Sequence, residues 1–202
     1  MKPNPEQLDI LKELINIGVG RAAGVLSEMV NSRISLQVPY IKVLSPSELK
    51  QEMEKLGNYR VSAVRLGFNG PFSGSAALVF PPDSASKLVS VLTNEESESL
   101  DLDSVRIGTL SEIGNIVING VMGSISNVLK QCINYSLPNY FEDNIINFLM
   151  TPKPDPNAII LLARTRFIIE QLHIEGDIIL IFEVGSLDAL LSGVNPGSEE
   201  TA

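Results

Sequence analysis

Cysteine, basic residues and long apolar runs are all scarce in this sequence. The single cysteine, Cys132, excludes an internal disulfide framework and is typical of a reducing compartment. Lys and Arg number 15 against 24 Asp and Glu, a net charge of −9, so the cations that bind nucleic acid or an anionic membrane are missing. No run of about eighteen apolar residues is present to span a bilayer, and the opening MKPNPEQLD has no apolar signal core. These absences predict a soluble, cytoplasmic protein.

The first half of the chain combines helical and strand-like periodicity. Apolar residues recur at three- and four-residue steps near the N-terminus, which is the period of a helix. A Ser45-x-x-Glu48 capping box and the Asn69-Gly70 pair indicate a helix start and a hairpin turn. The predicted elements are helix 6–31, strand 34–44, helix 46–56, strands 60–68 and 73–80, and a helix from about 81 to 92.

The same order starts again after the acidic stretch NEESESLDLD, for which we predict a solvated connection over 94–104. The predicted elements are helix 105–130, strand-like segments around 133–149, 158–171 and 177–184, and a short helix at 186–191. No clean copy of helix 46–56 is visible. We expect MTPKPDPN (150–157) to form a loop and 195–202 a flexible tail.

Matching residues indicate an internal repeat. Glu112, Asn115 and Pro138 follow Glu13, Asn16 and Pro39 at one constant spacing of 99 residues. Phe80, which closes SGSAALVF, likewise has a counterpart in Phe182, which closes GDIILIF. Three such matches at one spacing are rare by chance, because each residue type makes up only about one-twentieth of an average sequence.

The repeat predicts the architecture. We expect one domain over residues 1–202, built from two repeats at about 5–93 and 105–193. The fold class is α/β, of the α+β type: two pseudo-symmetric halves share a β-sheet, with two long helices on its outer face.

A glycine motif in the first helix raises the possibility of dinucleotide binding. Gly18, Gly20 and Ala23 have the spacing G-x-G-x-x-A, but a dinucleotide site needs a strand before the glycines and an acidic residue about twenty positions later. Here helix-patterned residues precede the glycines, and LQVPYIKVL (36–44) contains no Asp or Glu. NAD binding is therefore disfavoured, and Gly18 is expected to allow a close approach of another element.

A polar band lies opposite the apolar face of each long helix. At 100° per residue, Asp9, Glu13, Asn16 and Gly20 share one side of the first helix. The second helix has Gly108, Glu112, Asn115 and Asn119 in the same positions. Each half is therefore expected to present a carboxylate and an amide, at positions i and i+3, to solvent. A helix face that is merely exposed to solvent requires no specific residues, so the repetition of the same pair favours a functional role.

The residue types limit the chemistry of this pair. One carboxylate and one amide are too few for a metal site of their own, and the paired carboxylates of a glycosidase are absent from the band. An amide can orient a water by donating and accepting together, and a carboxylate can bind a lysine of a partner. The pair suits a substrate that brings its own electrophile, metal and lysine.

The doubled motif resembles a known signature. Asp9-x-x-x-Glu13-x-x-Asn16, followed after 22 residues by Pro39, is similar to the signature of the CheC/CheX/FliY family of chemotaxis phosphatases. Glu112-x-x-Asn115 with Pro138 repeats it, and two copies in about 200 residues resemble the CheC-type members.

The resemblance implies hydrolysis of the aspartyl phosphate on the response regulator CheY, in chemotaxis or a related two-component pathway. It implies that Asn16 and Asn115 position the attacking water, and that Glu13 and Glu112 contact the regulator's lysine. It further implies that Mg²⁺ belongs to the regulator, that this chain needs no cofactor of its own, and that the receptor deamidase CheD is a possible partner.

Two positions depart from the family pattern. Gly108 stands where the family has Asp or Ser, as Asp9 does in the first half, and Asn119 has Gly20 as its counterpart. The two sites therefore need not be equally active. Asp9, Asn119, Pro39 and Pro138 are expected to be supporting residues. The two prolines are expected near the start of a strand, at an edge or bulge.

Other assignments remain open beside the phosphatase. The main alternative is a non-catalytic adaptor that binds and sequesters a phosphorylated receiver domain. A flagellar-switch role like that of FliY is disfavoured, because about ten residues follow the second repeat. His173 is expected in a strand or turn, since no serine, cysteine or acidic partner accompanies it, and Cys132 is expected to be a small packing residue.

Overall fold

The fold is given by a computed structural model, which describes residues 4–56, 59–71, 73–94, 102–150 and 160–183. Its α-helices are α1 (Pro5–Val30), α2 (Pro46–Leu56), α3 (Pro82–Thr93), α4 (Leu102–Leu129) and α5 (Ile145–Leu149). Its strands are β1 (Ile34–Leu36), β2 (Tyr40–Leu44), β3 (Arg60–Asn69), β4 (Gly74–Phe80), β5 (Asn134–Tyr135), β6 (Asn139–Asn144), β7 (Ile160–Ile169) and β8 (Ile174–Glu183). None of the helices described here combines the length and the apolar composition that a bilayer span requires.

The eight strands of the described residues join one antiparallel sheet, in the order β1-β7-β8-β4-β3-β5, with β2 also paired to β7 and β6 also paired to β3. The sheet separates two layers of helices. On one face α1, α3 and α4 pack over side chains such as Val64, Leu66 and Phe80, which form the larger core. On the other face α2 and α5 cover Val61, Ala63 and Val79. The predicted fold class is confirmed.

Each half of the chain supplies the outer strands for the other half. Strands β1 and β2 pair with β7, whereas β5 and β6 pair with β3. The registers match as well, because Tyr40 lies opposite Arg164 and, 99 residues on, Asn139 lies opposite Arg65. The repeat boundaries at about 5–93 and 105–193 stay a prediction, which this matching of registers supports.

Both motif prolines lie in β-bulges. The amide N–H of Gln37 donates to Arg166, and Tyr40 then pairs with Arg164, so that Val38 and Pro39 together face a single residue of β7. The second half repeats this arrangement: Ser136 donates to Gly67, and Leu137 and Pro138 face one residue of β3. An extra residue at a bulge is left unpaired, so a proline without an N–H is tolerated there. The predicted strand 34–44 is accordingly divided into β1 and β2.

The segment 145–149, predicted as part of a strand, is a helix. Asn144 caps it by accepting a hydrogen bond from the Ile146 amide at 2.8 Å. Ile145, Phe148 and Leu149 are buried at helical spacing against the second core. This helix starts 99 residues after α2, so the second half does contain a shortened copy of helix 46–56. The five residues IINFL, four of them apolar, are too few for their period to distinguish helix from strand.

The remaining boundaries agree with the sequence apart from two shifts: β8 begins at Ile174 rather than at 177, and α4 begins earlier than predicted. Helix α4 begins at Leu102, inside the segment expected to be a solvated connection over 94–104, and Asp103 lies in its first turn, where acidic residues are favourable. The loop predicted at 150–157 is described only at its first residue. The predicted helix 186–191 and tail 195–202 lie outside the described residues.

Two glycines allow α4 and α1 to pack closely. A Cβ added at Gly114 would lie 2.5 Å from a side-chain carbon of Val64 on β3, and one added at Gly18 would lie 2.9 Å from the carbonyl oxygen of Val121 on α4. Neither position has room for a side chain. The contact at Gly18 confirms the close approach expected from the sequence.

We expect Gly114→Ala to lower the free energy of unfolding by about 1–3 kcal/mol, because the new methyl group would overlap the stiff side chain of Val64. Gly123→Ala is the matched control in the same helix, since an added Cβ there meets no atom within 4 Å. It should raise stability by up to about 1 kcal/mol through helix propensity alone. Denaturant unfolding followed by circular dichroism measures both; a similar effect of the two substitutions would contradict this packing.

Candidate functional site

The first Glu–Asn pair is carried by α1, whose start is well defined. Asn4 caps the helix by accepting from the Gln7 amide at 2.8 Å, and the Gln7 side chain accepts in return from the Asn4 amide at 2.9 Å. Pro5 follows at the first helical position, where its missing N–H costs nothing. This capping box, readable as Asn4-x-x-Gln7, was not among the sequence predictions.

The apolar face of α1 sets the direction of the polar band. Leu11, Ile15 and Ala22 are buried in the larger core, and Glu13 and Asn16 on the opposite side are exposed. Within the described residues, neither of these two side chains makes a hydrogen bond or ion pair. They are therefore available to another molecule.

Asp9 and Gly20 border this pair along α1. The Asp9 carboxylate forms an exposed ion pair with Lys12 at 3.2 Å, which contributes little to stability at such exposure. A Cβ added at Gly20 would meet no atom within 4 Å, so the surface there is open. The G-x-G-x-x-A motif thus lies inside a continuous helix, without the strand and turn of a dinucleotide site.

The second pair on α4 has a different surround. Glu112 is exposed and Asn115 is half-buried, and Gly108 borders open space like Gly20. One turn after Asn115, the side-chain amide of Asn119 donates to the Asn115 carbonyl oxygen at 2.9 Å. The structure therefore joins the two amides predicted to share a band, a contact for which Gly20 offers no equivalent in α1.

A polar cluster attaches the first turns of α4 to the sheet. Arg106 donates to Ser62 on β3 at 2.9 Å and forms an ion pair with Glu142 on β6 at 3.0 Å. Tyr140 donates to the same carboxylate at 2.6 Å. The hydrogen bond from Tyr140, together with the positive charge of Arg106, holds the pKa of the Glu142 carboxyl below its ordinary value. Sequence reasoning missed this cluster because Ser62, Arg106 and Glu142 lie on three elements that are far apart in the chain.

The other candidate residues lie away from these pairs. Pro39 is buried and Pro138 half-buried in their bulges, and their place in the signature stays a prediction. His173 adopts a left-handed conformation with φ 52° after a short 3₁₀ turn, as expected for a turn residue. Cys132 is exposed, so its predicted packing role is wrong. It follows the end of α4, at the surface rather than within either core.

The residues at the two Glu–Asn pairs limit the chemistry that these sites can perform. No group of three His, Cys, Asp or Glu side chains in the described part of the chain is placed to bind a metal ion. Each pair instead offers one carboxylate and one amide on a rigid helix, at a surface that another protein can reach. Such groups can hold a water and a cationic side chain in place.

The comparisons with known proteins point in one direction. No protein-family profile matches the chain. The chain is 29% identical over 138 residues to the CheY-P phosphatase CheC of Bacillus subtilis, a match covering 66% of this chain and 65% of that protein. The chain therefore spans slightly less than two thirds of the length of this relative.

Solved structures share the fold. Thermotoga maritima FliY superposes with a TM-score of 0.74 at 19% identity, over 96% of this chain and 98% of that one. A chain of the CheX-CheY-BeF3-Mg²⁺ complex from Borrelia burgdorferi gives a TM-score of 0.58 at 18% identity, over 83% and 96%. With the CheC relative, these matches confirm the resemblance that the doubled motif indicates.

We expect Tyr140→Phe to make the protein unfold at a less acidic pH. The lowered pKa of Glu142 contributes stability above the carboxyl's pKa in the unfolded chain, and this is lost as the pH falls through the folded-state value. Removing the Tyr140 donor raises the folded-state pKa of Glu142 toward its value in the unfolded chain. The variant therefore has a lower free energy of unfolding at neutral pH, and the pH at which half of it is unfolded by acid, its acid midpoint, is higher.

An acid titration followed by circular dichroism measures this midpoint. Tyr135→Phe is the control, because Tyr135 is exposed and donates no hydrogen bond to the described residues. Equal midpoints for Tyr140→Phe and the unsubstituted protein would argue against the contribution of this cluster.

Proposed function

We propose that this chain, which resembles the CheC-type chemotaxis phosphatases in sequence and fold, hydrolyses the aspartyl phosphate of a CheY-type response regulator. The observation that carries the proposal is the exposure of Glu13 and Asn16 on α1 and of Glu112 on α4, with Asn115 beside it at the same spacing. The CheC relative and the CheX–CheY complex among the fold neighbours support the same substrate.

The proposed chemistry is positioning. The oxygen of a water forms a bond to phosphorus as the bond between phosphorus and the aspartyl oxygen breaks. The products are dihydrogen phosphate, which carries both protons of the water, and a free aspartate carboxylate. An acyl phosphate is already reactive, so holding the water in line removes much of the entropic barrier.

The residues have separate parts in this proposal. Asn16 and Asn115 orient the water through their amides, which can accept and donate at once. Glu13 and Glu112 bind the regulator's lysine and set the orientation of the complex. The resemblance implies that the Mg²⁺ is held by the regulator, and an interaction with CheD stays a prediction.

The first test removes both amides. Phosphorylated CheY with Mg²⁺ is incubated with the wild type or Asn16→Ala/Asn115→Ala, and phosphate release is followed over time. The wild type should accelerate phosphate release. The rate with the double variant should be roughly 100-fold lower than with the wild type, because misplacing a reacting group lowers the rate by about this factor. Each single substitution should leave partial activity.

Asn127→Ala serves as the control, because it removes an exposed amide from α4 outside the polar band. It should leave the rate unchanged. Accelerated release that survives in the double variant would exclude these amides as the catalytic groups. A wild type that binds phosphorylated CheY without accelerating release would be an adaptor that sequesters the regulator.

The carboxylates call for a different measurement. Glu13→Gln/Glu112→Gln keeps the shape of both side chains but removes the charges proposed to bind a lysine. KM for phosphorylated CheY should rise several-fold while kcat changes less. The dependence of KM on salt should also weaken, because exposed charge pairs are screened by salt. An unchanged KM at low salt would contradict the proposed contact.

A further inference from the structure

The two Glu–Asn pairs differ at the position one turn after the amide. In α1 that position is Gly20, next to open space, whereas in α4 it is Asn119, which donates to the carbonyl oxygen of Asn115 at 2.9 Å. We propose that Asn119 is a positioning residue, which holds the Asn115 amide in the orientation that the water requires. This inference rests on the proposed function.

The hydrogen bond leaves the working capacity of Asn115 intact. A carboxamide oxygen has two lone pairs, and Asn119 uses one of them. The second lone pair and both N–H groups of Asn115 stay available for a water and a partner. The bond fixes the plane of the amide, and it polarises the group so that its N–H donors become stronger.

Asn119 is poorly placed for a purely structural role. The side-chain oxygen of Asn119, Oδ1, is buried and has no hydrogen-bond partner among the described residues. A buried acceptor without a partner destabilises a protein, and native structures contain few of them. Asparagine is also a weaker helix former than alanine. The position therefore carries a cost in stability, for which a role in orienting Asn115 gives a reason.

The first pair lacks this constraint. Asn16 is exposed and accepts no hydrogen bond from the described residues, so its amide must be ordered when the complex forms. The entropy lost in ordering one such side chain lowers the rate or the affinity by roughly two- to tenfold. The second pair has this ordering built into the free protein.

The test isolates the second pair in an Asn16→Ala background. There, Asn119→Ala should lower kcat roughly two- to tenfold with little change in KM, because the partner contacts remain and only the amide is released. Its thermal stability should stay equal or rise, since an unpartnered buried oxygen is removed. Asn127→Ala in the same background is the control and should leave kcat unchanged.

Two further variants separate orientation from packing. Asn119→Asp keeps the shape but has no N–H to donate, so kcat should fall at least as far as with alanine. In an Asn115→Ala background, Gly20→Asn supplies the missing donor to Asn16, and kcat of the first pair should rise. The side-chain amide signals of Asn115 in NMR spectra report the hydrogen bond without any turnover, and they should shift in both Asn119 variants.

These experiments distinguish failure of the inference about Asn119 from failure of the proposed function. An inactive wild type would refute the phosphatase assignment and the inference with it. A wild type that is active while Asn16→Ala abolishes turnover would leave the phosphatase standing and overturn the role of Asn119. Unchanged kcat in Asn119→Ala, or a loss of kcat that follows a loss of thermal stability, would also overturn it.

Discussion

The close packing of Gly18 and Gly114 against their neighbours determines how α1 and α4 present the Glu–Asn pairs at the surface. Gly114 lies against Val64 of the sheet, and Gly18 lies against the backbone of α4 at Val121. A side chain at either position would overlap the neighbouring element and push the helix away from it. With both helices seated, their apolar faces are buried and the Glu–Asn pairs are turned away from the core.

The exchange of outer strands makes the two halves depend on each other. Each hairpin of the sheet is completed by strands from the other half of the chain, so neither half has a complete sheet alone. The halves have nevertheless diverged inside. Arg65 is buried against the ring of Phe148 at 4.1 Å, and burial lowers its pKa to about 10, whereas Arg164, 99 residues on, pairs with Asp177 at 2.6 Å.

Most helices, strands and the polar bands could be predicted because their periodicity extends over many residues. Helix α5 could not, since the four apolar residues among its five carry no clear period and its cap at Asn144 is decided by local hydrogen bonding. The bulges at Pro39 and Pro138 depend on pairing with strands more than sixty residues away in the chain. Arg106 with Glu142 is another long-range contact, while the bond between Asn115 and Asn119 needs side-chain geometry that spacing alone does not supply.

The exposure of the Glu–Asn pairs limits where the catalytic power of the proposed reaction can come from. A solvent-facing carboxylate and amide are not made unusually reactive by their surroundings, because water screens their charges and competes for their hydrogen bonds. The environment that strengthens these interactions must form when a second protein covers the helix and excludes that water. A rigid helix that presents these side chains to the partner then suits the task better than a deep pocket. Under the proposal for Asn119, the amide of the second half is ordered before the partner arrives, whereas the amide of the first half is not.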